Sequence, residues 1–261
     1  MARLTIKSLQ KTVPADEWQA RVDLAACYRL VALYGMSEMI ANHISVRVPN
    51  EPEHFLINAY GMLYEEITAS SLYKIDLDGE IIARPEVDYG INRAGFVIHS
   101  AIHRARPESH PAPAACIIHT HTPAGMAVSS LASGLLPMTQ TAMRFARAPT
   151  HDYEGVAVDL DEQSRLVADP GDADILILRN HGLLAVGPSI PEAFSNIYRL
   201  ELACKAQLLA QSANSEILLP GADVIARTNH LYRPNVRRPF GLLEWPALLR
   251  QLDRRDASYR E

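Results

Sequence analysis

The chain has little cysteine, and it carries nothing that reads as a leader or a membrane span. Cys27, Cys116 and Cys204 are its only three cysteines in 261 residues, and they lie in apolar stretches without CxxC spacing. They read as reduced, buried core residues of a cytosolic protein. No apolar run reaches the ~18–20 residues that a spanning helix needs. The opening segment MARLTIKSLQKTVPADEW lacks an apolar core followed by a small-residue cleavage site, so a signal peptide is not expected. A cytoplasmic location without membrane contact follows as an expectation. A basic excess is missing too. A net charge of −5 argues against a general nucleic-acid binder, because phosphate affinity needs a basic surface. Hydrophobic residues at 48% and charged residues at 21% exclude a disordered chain. No repeat and no long linker is evident. Histidine is the residue in surplus, with ten.

The apolar pattern predicts one α/β domain with flanking segments. Residues 1–14 read as an irregular arm ending at Pro14. Trp18, Val22, Leu24, Ala25, Tyr28, Leu30, Val31 and Leu33 form a helical stripe over Asp16–Tyr34, closed by Gly35. Strands are expected at Ile44–Val48, His54–Asn58 and Leu72–Leu77, and the Asp78-Gly79 turn leads into Glu80–Ala83. Asn92 can cap a helix that ends before Pro107. Ala115–His119 reads as a buried strand halted by Pro123, with a short helix over Pro123–Leu131. Further strands are expected at Gly155–Leu160, Asp174–Leu178 and Leu183–Val186. Ser189-Ile190-Pro191-Glu192 is a capping box for a helix running to about Gln211. From Arg227 onward the tail holds eight arginines against four acidic residues. It includes an amphipathic stretch, Leu242–Leu252, whose Trp245 offers apolar area for a neighbouring copy.

The histidines carry the chemistry. His119 and His121 are two apart, so on a strand they leave the same face. His181 sits in an Asn-His-Gly turn after another apolar β run, where strand ends gather. Three neutral imidazoles suit Zn²⁺, Mn²⁺ or Fe²⁺ and leave coordination positions for substrate or water. His99 and His103 face one way on the helix after Asn92. They lack the Glu of HExxH, and packing or hydrogen bonding near the sheet is their expected role.

The arrangement resembles the class II aldolase/adducin family over about residues 18–212. The matching pieces are His43-Ile44-Ser45-Val46-Arg47, Leu56-Ile57-Asn58 with Gly61, Ala94-Gly95-Phe96 with His99, His119-Thr120-His121, and Arg179-Asn180-His181-Gly182. The resemblance implies a three-layer α/β/α sandwich around a central, mostly antiparallel sheet. It implies a divalent metal, zinc foremost, on His119, His121 and His181. A homotetramer with sites near subunit boundaries is also implied. The chain then divides into an arm (1–17), the metal-binding domain (18–212) and a C-terminal extension (213–261).

The departures narrow the function. The sugar-phosphate aldolases of the family place an acidic acid/base where this chain has Gly95. Asn42-His43, Tyr60-Gly61 and Arg93-Ala94 replace most of their phosphate-cradling pattern. The expected substrate is therefore a small, oxygen-chelating, carboxylated molecule, with His43, Asn58, Gly61 and Arg93 around it. Arg93 can take a carboxylate by a bidentate contact. Proton transfer falls to Tyr60, Tyr153, His43 or a coordinated water. The expected activity is lyase-like, by aldol-type C–C cleavage or decarboxylation. The alternatives are a non-haem Fe²⁺ oxygenase and a non-enzymatic, adducin-like assembly protein.

Overall fold

Residues 4, 6–87, 89–156 and 160–261 are described in the computed structural model of the protein. The first half contains α1 (Ala15–Leu33), β1 (His43–Val48), β2 (Glu51–Ile57), β3 (Tyr73–Asp76), β4 (Ile81–Ala83) and α2 (Arg93–Ala105). Next come β5 (Cys116–Thr120), α3 (Pro123–Ser129), α4 (Gln140–Met143) and β6 (Thr150–His151). α5 (Gln163–Ala168), β7 (Ile175–Leu178), β8 (Gly182–Gly187), α6 (Ile190–Ser212), α7 (Ala222–Leu231) and α8 (Trp245–Asp253) complete the order. Asn92 caps α2 by accepting from Gly95 N, and Ser189 caps α6 by accepting from Glu192 N. None of these helices is long and apolar enough to cross a membrane.

The strands form one eight-stranded sheet in the order β4-β3-β2-β1-β5-β8-β7-β6. Every neighbouring pair is antiparallel except β6 with β7. Side chains alternate across it with period two. Ile175, Ile177, Leu183, Ala185, Cys116, Ile118 and Ile44 join the core under α1 and α6. Leu176, Leu178, Leu184, Val186 and Ile117 face the opposite way, onto Ile98 and Ile102 of α2 and Leu166 of α5. Both faces are therefore covered, which gives the three-layer α/β/α sandwich. The same alternation sends His43, Ser45 and Arg47 of β1 to the α2 side, because Ile44 and Val46 belong to the other core.

Three findings differ from the sequence reading. The apolar pattern does not announce β6, α4, α5 or α7: the first three are short, and α7 buries no residue that would mark an apolar stripe. Of the strand expected at Gly155–Leu160, residues 157–159 lie outside those described, while Gly155 and Val156 form a bend and Leu160 begins a 3-10 turn. Trp245 is not free for a neighbour: it is 6% exposed, in the core with Phe194, and its Nε1 donates to Asp23 Oδ1 at 3.0 Å. The nearby apolar residues left in the open are Leu242 and Leu243. The cysteines are free and buried, as expected.

A buried ionic cluster fixes α1 to the sheet. Arg21 Nε donates to Glu17 Oε1 at 2.8 Å and Nη1 to Leu72 O at 2.9 Å, while Lys74 Nζ lies 3.1 Å from Glu17 Oε2. Burial pulls the Arg21 guanidinium below its ordinary value, and Glu17 opposes that shift. Glu17→Ala would leave the Arg21 charge uncompensated, and such truncations cost about 3–5 kcal/mol. Urea unfolding should report a loss of that size. A loss below about 1 kcal/mol, typical of surface pairs, would sink the argument.

Candidate metal centre

β5 delivers His119 from its interior and His121 just past its end. His181 comes from the turn between β7 and β8. That turn is tight: Asn180 has φ +55°, and a Cβ on Gly182 would stand 2.5 Å from Thr120 O. The small residue lets the turn press against β5 and bring His181 over the strand end. Arg179 holds the turn from outside, its Nη1 donating to Leu131 O at 2.7 Å.

The three rings meet through their Nε2 atoms. His119 Nε2 lies 2.7 Å from His121 Nε2 and 3.3 Å from His181 Nε2. Among the described residues this is the group of histidine, cysteine and acidic side chains compact enough to share one ion, with ligand atoms all within 4.8 Å. The outer nitrogens settle two tautomers. His119 Nδ1 is 2.9 Å from Leu183 O, and His121 Nδ1 is 2.7 Å from Glu38 Oε2. Both partners only accept, so both Nδ1 atoms carry protons and both Nε2 atoms are bare when the rings are neutral. Bare nitrogens at such distances repel unless a cation lies between them. The donor set therefore fits a divalent ion, with Leu183 O and Glu38 as the groups that orient its ligands.

Electrostatics keep His119 and His181 in the ligating form. Burial, then the neighbouring histidines, hold His119 far below the ordinary histidine range. Burial followed by the charges of His121 and His151 brings His181 to about 4. Tyr153, half exposed, approaches His181 with ring centroids 6.4 Å apart. A cleft lined by Ile98, Tyr153, Leu178, Arg179 and His181 opens beside it.

Residues 22–208 match the Class II Aldolase and Adducin N-terminal domain. The chain belongs to this family. An aldolase II superfamily protein from Pseudomonas syringae has 46% identity and a TM-score of 0.90, covering 98% of this chain and 100% of that one. An L-fuculose 1-phosphate aldolase from Glaciozyma antarctica has 27% identity and a TM-score of 0.81, covering 99% and 96%. Alpha-adducin of Rattus norvegicus is 49% identical over 72% of this chain, which spans 25% of that protein.

Within the family frame, the other predicted site residues scatter. His43 is at the centre: it pairs with His119 across β1 and β5, with ring centroids 4.9 Å apart. Asn58 is buried, and its Oδ1 accepts from Tyr28 OH at 2.8 Å. Tyr60 is 40% exposed and Gly61 lies under the Tyr89 ring. Arg93 is exposed at the first position of α2. Glu38 escaped the sequence reading, since an acidic residue in an irregular segment carries no pattern.

Gly95 has a physical reason. A Cβ there would stand 2.7 Å from both Cγ and Cδ2 of His43, so the imidazole fills the space a side chain at 95 would need. Gly95→Ala should destabilise the fold by about 1–3 kcal/mol, the usual range for overpacking. Calorimetric melting of the variant checks this, and an unchanged midpoint would contradict it. Gly95→Glu is likewise expected not to restore a family-type acid.

Proposed function

We propose that the chain is a divalent-metal-dependent lyase-type enzyme acting on a small carboxylated, oxygen-chelating substrate. Its reaction would be aldol-type C–C cleavage or decarboxylation. One observation carries this reading: three imidazole Nε2 atoms converge beside a ring, His43, that fills the space a side chain at Gly95 would need. His119, His121 and His181 would hold the ion, zinc foremost, with Mn²⁺ and Fe²⁺ compatible with the same ligands. The ion would supply Lewis acidity toward a substrate oxygen as negative charge develops there.

The protein groups divide the remaining work. Leu183 O and Glu38 hold the ligand rings in register. Tyr153, half exposed beside His181, would serve as the proton donor, with Tyr60 as the second phenol. Arg93, exposed at the start of α2, would take a substrate carboxylate, whereas Asn58 is bonded to Tyr28 and Gly61 lies under Tyr89, which leaves both to a structural role. Residues 18–212 would form the catalytic unit of a cytoplasmic homotetramer, with 213–261 as an extension packed on it.

A second reading rests on the 49% identity to alpha-adducin, which favours an assembly role without catalysis. Metal content separates the two, because an assembly role does not need the ion. The substrate test is a panel of hydroxy and keto acids against fuculose- and ribulose-phosphate-type sugars, using zinc-loaded protein. Turnover of an acid is expected. Sugar-phosphate cleavage should be depressed by the ~10²–10⁴ that a missing general acid/base costs. Efficient sugar-phosphate cleavage would defeat the proposal.

A further inference from the structure

A second group of histidines lies behind the first, and its hydrogen bonds run in one direction. His43, Ser45, His99 and His103 are all 2% exposed or less. β1 supplies His43 and Ser45, two apart and on one face, and α2 supplies His99 and His103, four apart and on one face. The contacts form a line from Ala114 O to His103 Nδ1 (2.9 Å), His103 Nε2 to Ser45 Oγ (2.8 Å), Ser45 Oγ to His99 Nδ1 (2.6 Å), and His99 Nε2 to His43 Nδ1 (2.8 Å).

The chemistry of the end group fixes every proton along it. A carbonyl oxygen only accepts, so His103 Nδ1 carries a proton. All three rings are buried and none meets a carboxylate among the described residues, which disfavours the charged form, so each ring is neutral with one bare nitrogen. His103 Nε2 is then bare and takes the Ser45 hydroxyl proton. Ser45 has no second proton, so its oxygen accepts from His99 Nδ1–H. His99 Nε2 is bare and accepts from His43 Nδ1–H. His43 Nε2 is left bare, and it has no hydrogen-bond partner among the described residues.

We propose that His43 reads the ligand at this centre: its Nε2, locked as an acceptor by the chain from Ala114 O, takes a hydrogen bond from a ligand hydroxyl, so that a hydroxy acid is selected over the matching keto acid. The inference rests on the metal-centred reading above. A carbonyl oxygen at the same position would face the His43 Nε2 lone pair and leave that nitrogen without a donor, the costly arrangement for a buried polar group. Gly95 belongs to the same device, because a side chain there would displace the His43 ring. Ser45, His99 and His103 act through His43 and are positioning residues.

The test has two arms. Nitrogen-15 NMR of histidine-labelled protein, with and without Zn²⁺, reads the tautomers directly. His43, His99 and His103 should all appear as Nδ1–H forms, assigned through the H43Q and H103Q variants. A His43 Nε2–H signal would overturn the proposal. The second arm is calorimetric titration of the zinc-loaded protein with lactate and with pyruvate, which chelate alike but differ in the proton on the second oxygen. Wild type should prefer lactate. In H43Q, whose amide can donate as well as accept, the preference should fall about tenfold, the effect of one buried hydrogen bond. S45A, which interrupts the chain without touching the ligand, should weaken the preference and release the His99 and His43 tautomers, and it serves if H43Q fails to fold. Both acids bound with no lactate preference in wild type would overturn the reading of His43 alone. Neither acid bound would overturn the ligand class on which it rests.

Discussion

The His119→Ala, His181→Ala double variant is expected to lose the divalent ion that the wild-type chain should retain at about one per chain, by the logic of three-ligand sites. The expectation comes from convergence. Each of the three rings contributes an Nε2, and the closest pair is 2.7 Å apart, so no remaining pair of side chains can rebuild the site. Elemental mass spectrometry on protein purified without chelator reads the stoichiometry. Glu38→Ala is the graded control. It removes the acceptor that orients His121 and leaves the ligands in place, and losses of about 10–100-fold in affinity are usual for such partners. The double variant should fall well below that. A full complement of metal in the double variant would dismiss these histidines as ligands. Binding an ion to the folded chain also raises its stability by mass action, so wild type should melt lower after dialysis against chelator while the double variant should not respond.

The second large effect is on pH. His43, His99 and His103 all have folded-state values below the ordinary 6.5, chiefly because burial penalises the charged ring. The unfolded chain therefore takes up protons that the folded chain refuses as pH falls. Their contribution to stability is complete above about 6.5 and is lost as the pH drops toward the folded values, which for His103 is about 3. Near pH 5 these three rings alone add about 4 kcal/mol per pH unit to the slope, on top of what His119 and His181 contribute when no ion holds them. Urea titrations at pH 7.5, 6 and 5 should show the collapse, and H103Q should flatten it by about one proton. A stability that holds level from pH 7.5 to 5 would mean the rings are not buried neutral.

Much of this centre was readable in advance, and the unread part has a common cause. The i, i+2 spacing of His119 and His121 and the turn position of His181 put three imidazoles at neighbouring strand ends, where the structure brings them together. The long strands and helices announced themselves through period-two and helical apolar patterns, and Asn92 and Ser189 marked two helix starts. Contacts between elements distant in sequence did not show. Nothing local says that Ser45 sits between His99 and His103, 54 and 58 residues away, or that Glu38 reaches His121 across 83 residues. Gly95 read as the loss of an acid. Its positive role, making room for the His43 ring, appears only once β1 and α2 are packed. Trp245 shows the opposite error, since a large apolar residue in an arginine-rich tail looks like a contact for another copy until α8 is seen lying on α1.

The sheet ends in very short strands on both sides, three residues in β4 and two in β6. Edge strands are where one sheet recruits another, and short edges present few unpaired backbone groups to recruit with. Ile175–Leu178 is a run of β-branched and leucine residues without charge, the composition of self-templating strands. It lies one position in from the margin, flanked by β8 and by the two residues of β6. Fraying of Thr150 and His151 would uncover it on one side while the rest of the sheet stayed intact. Losses on storage or gentle heating should therefore take the form of fibrillar association starting at this margin, and a lysine placed at Thr150 would be a natural gatekeeper against it.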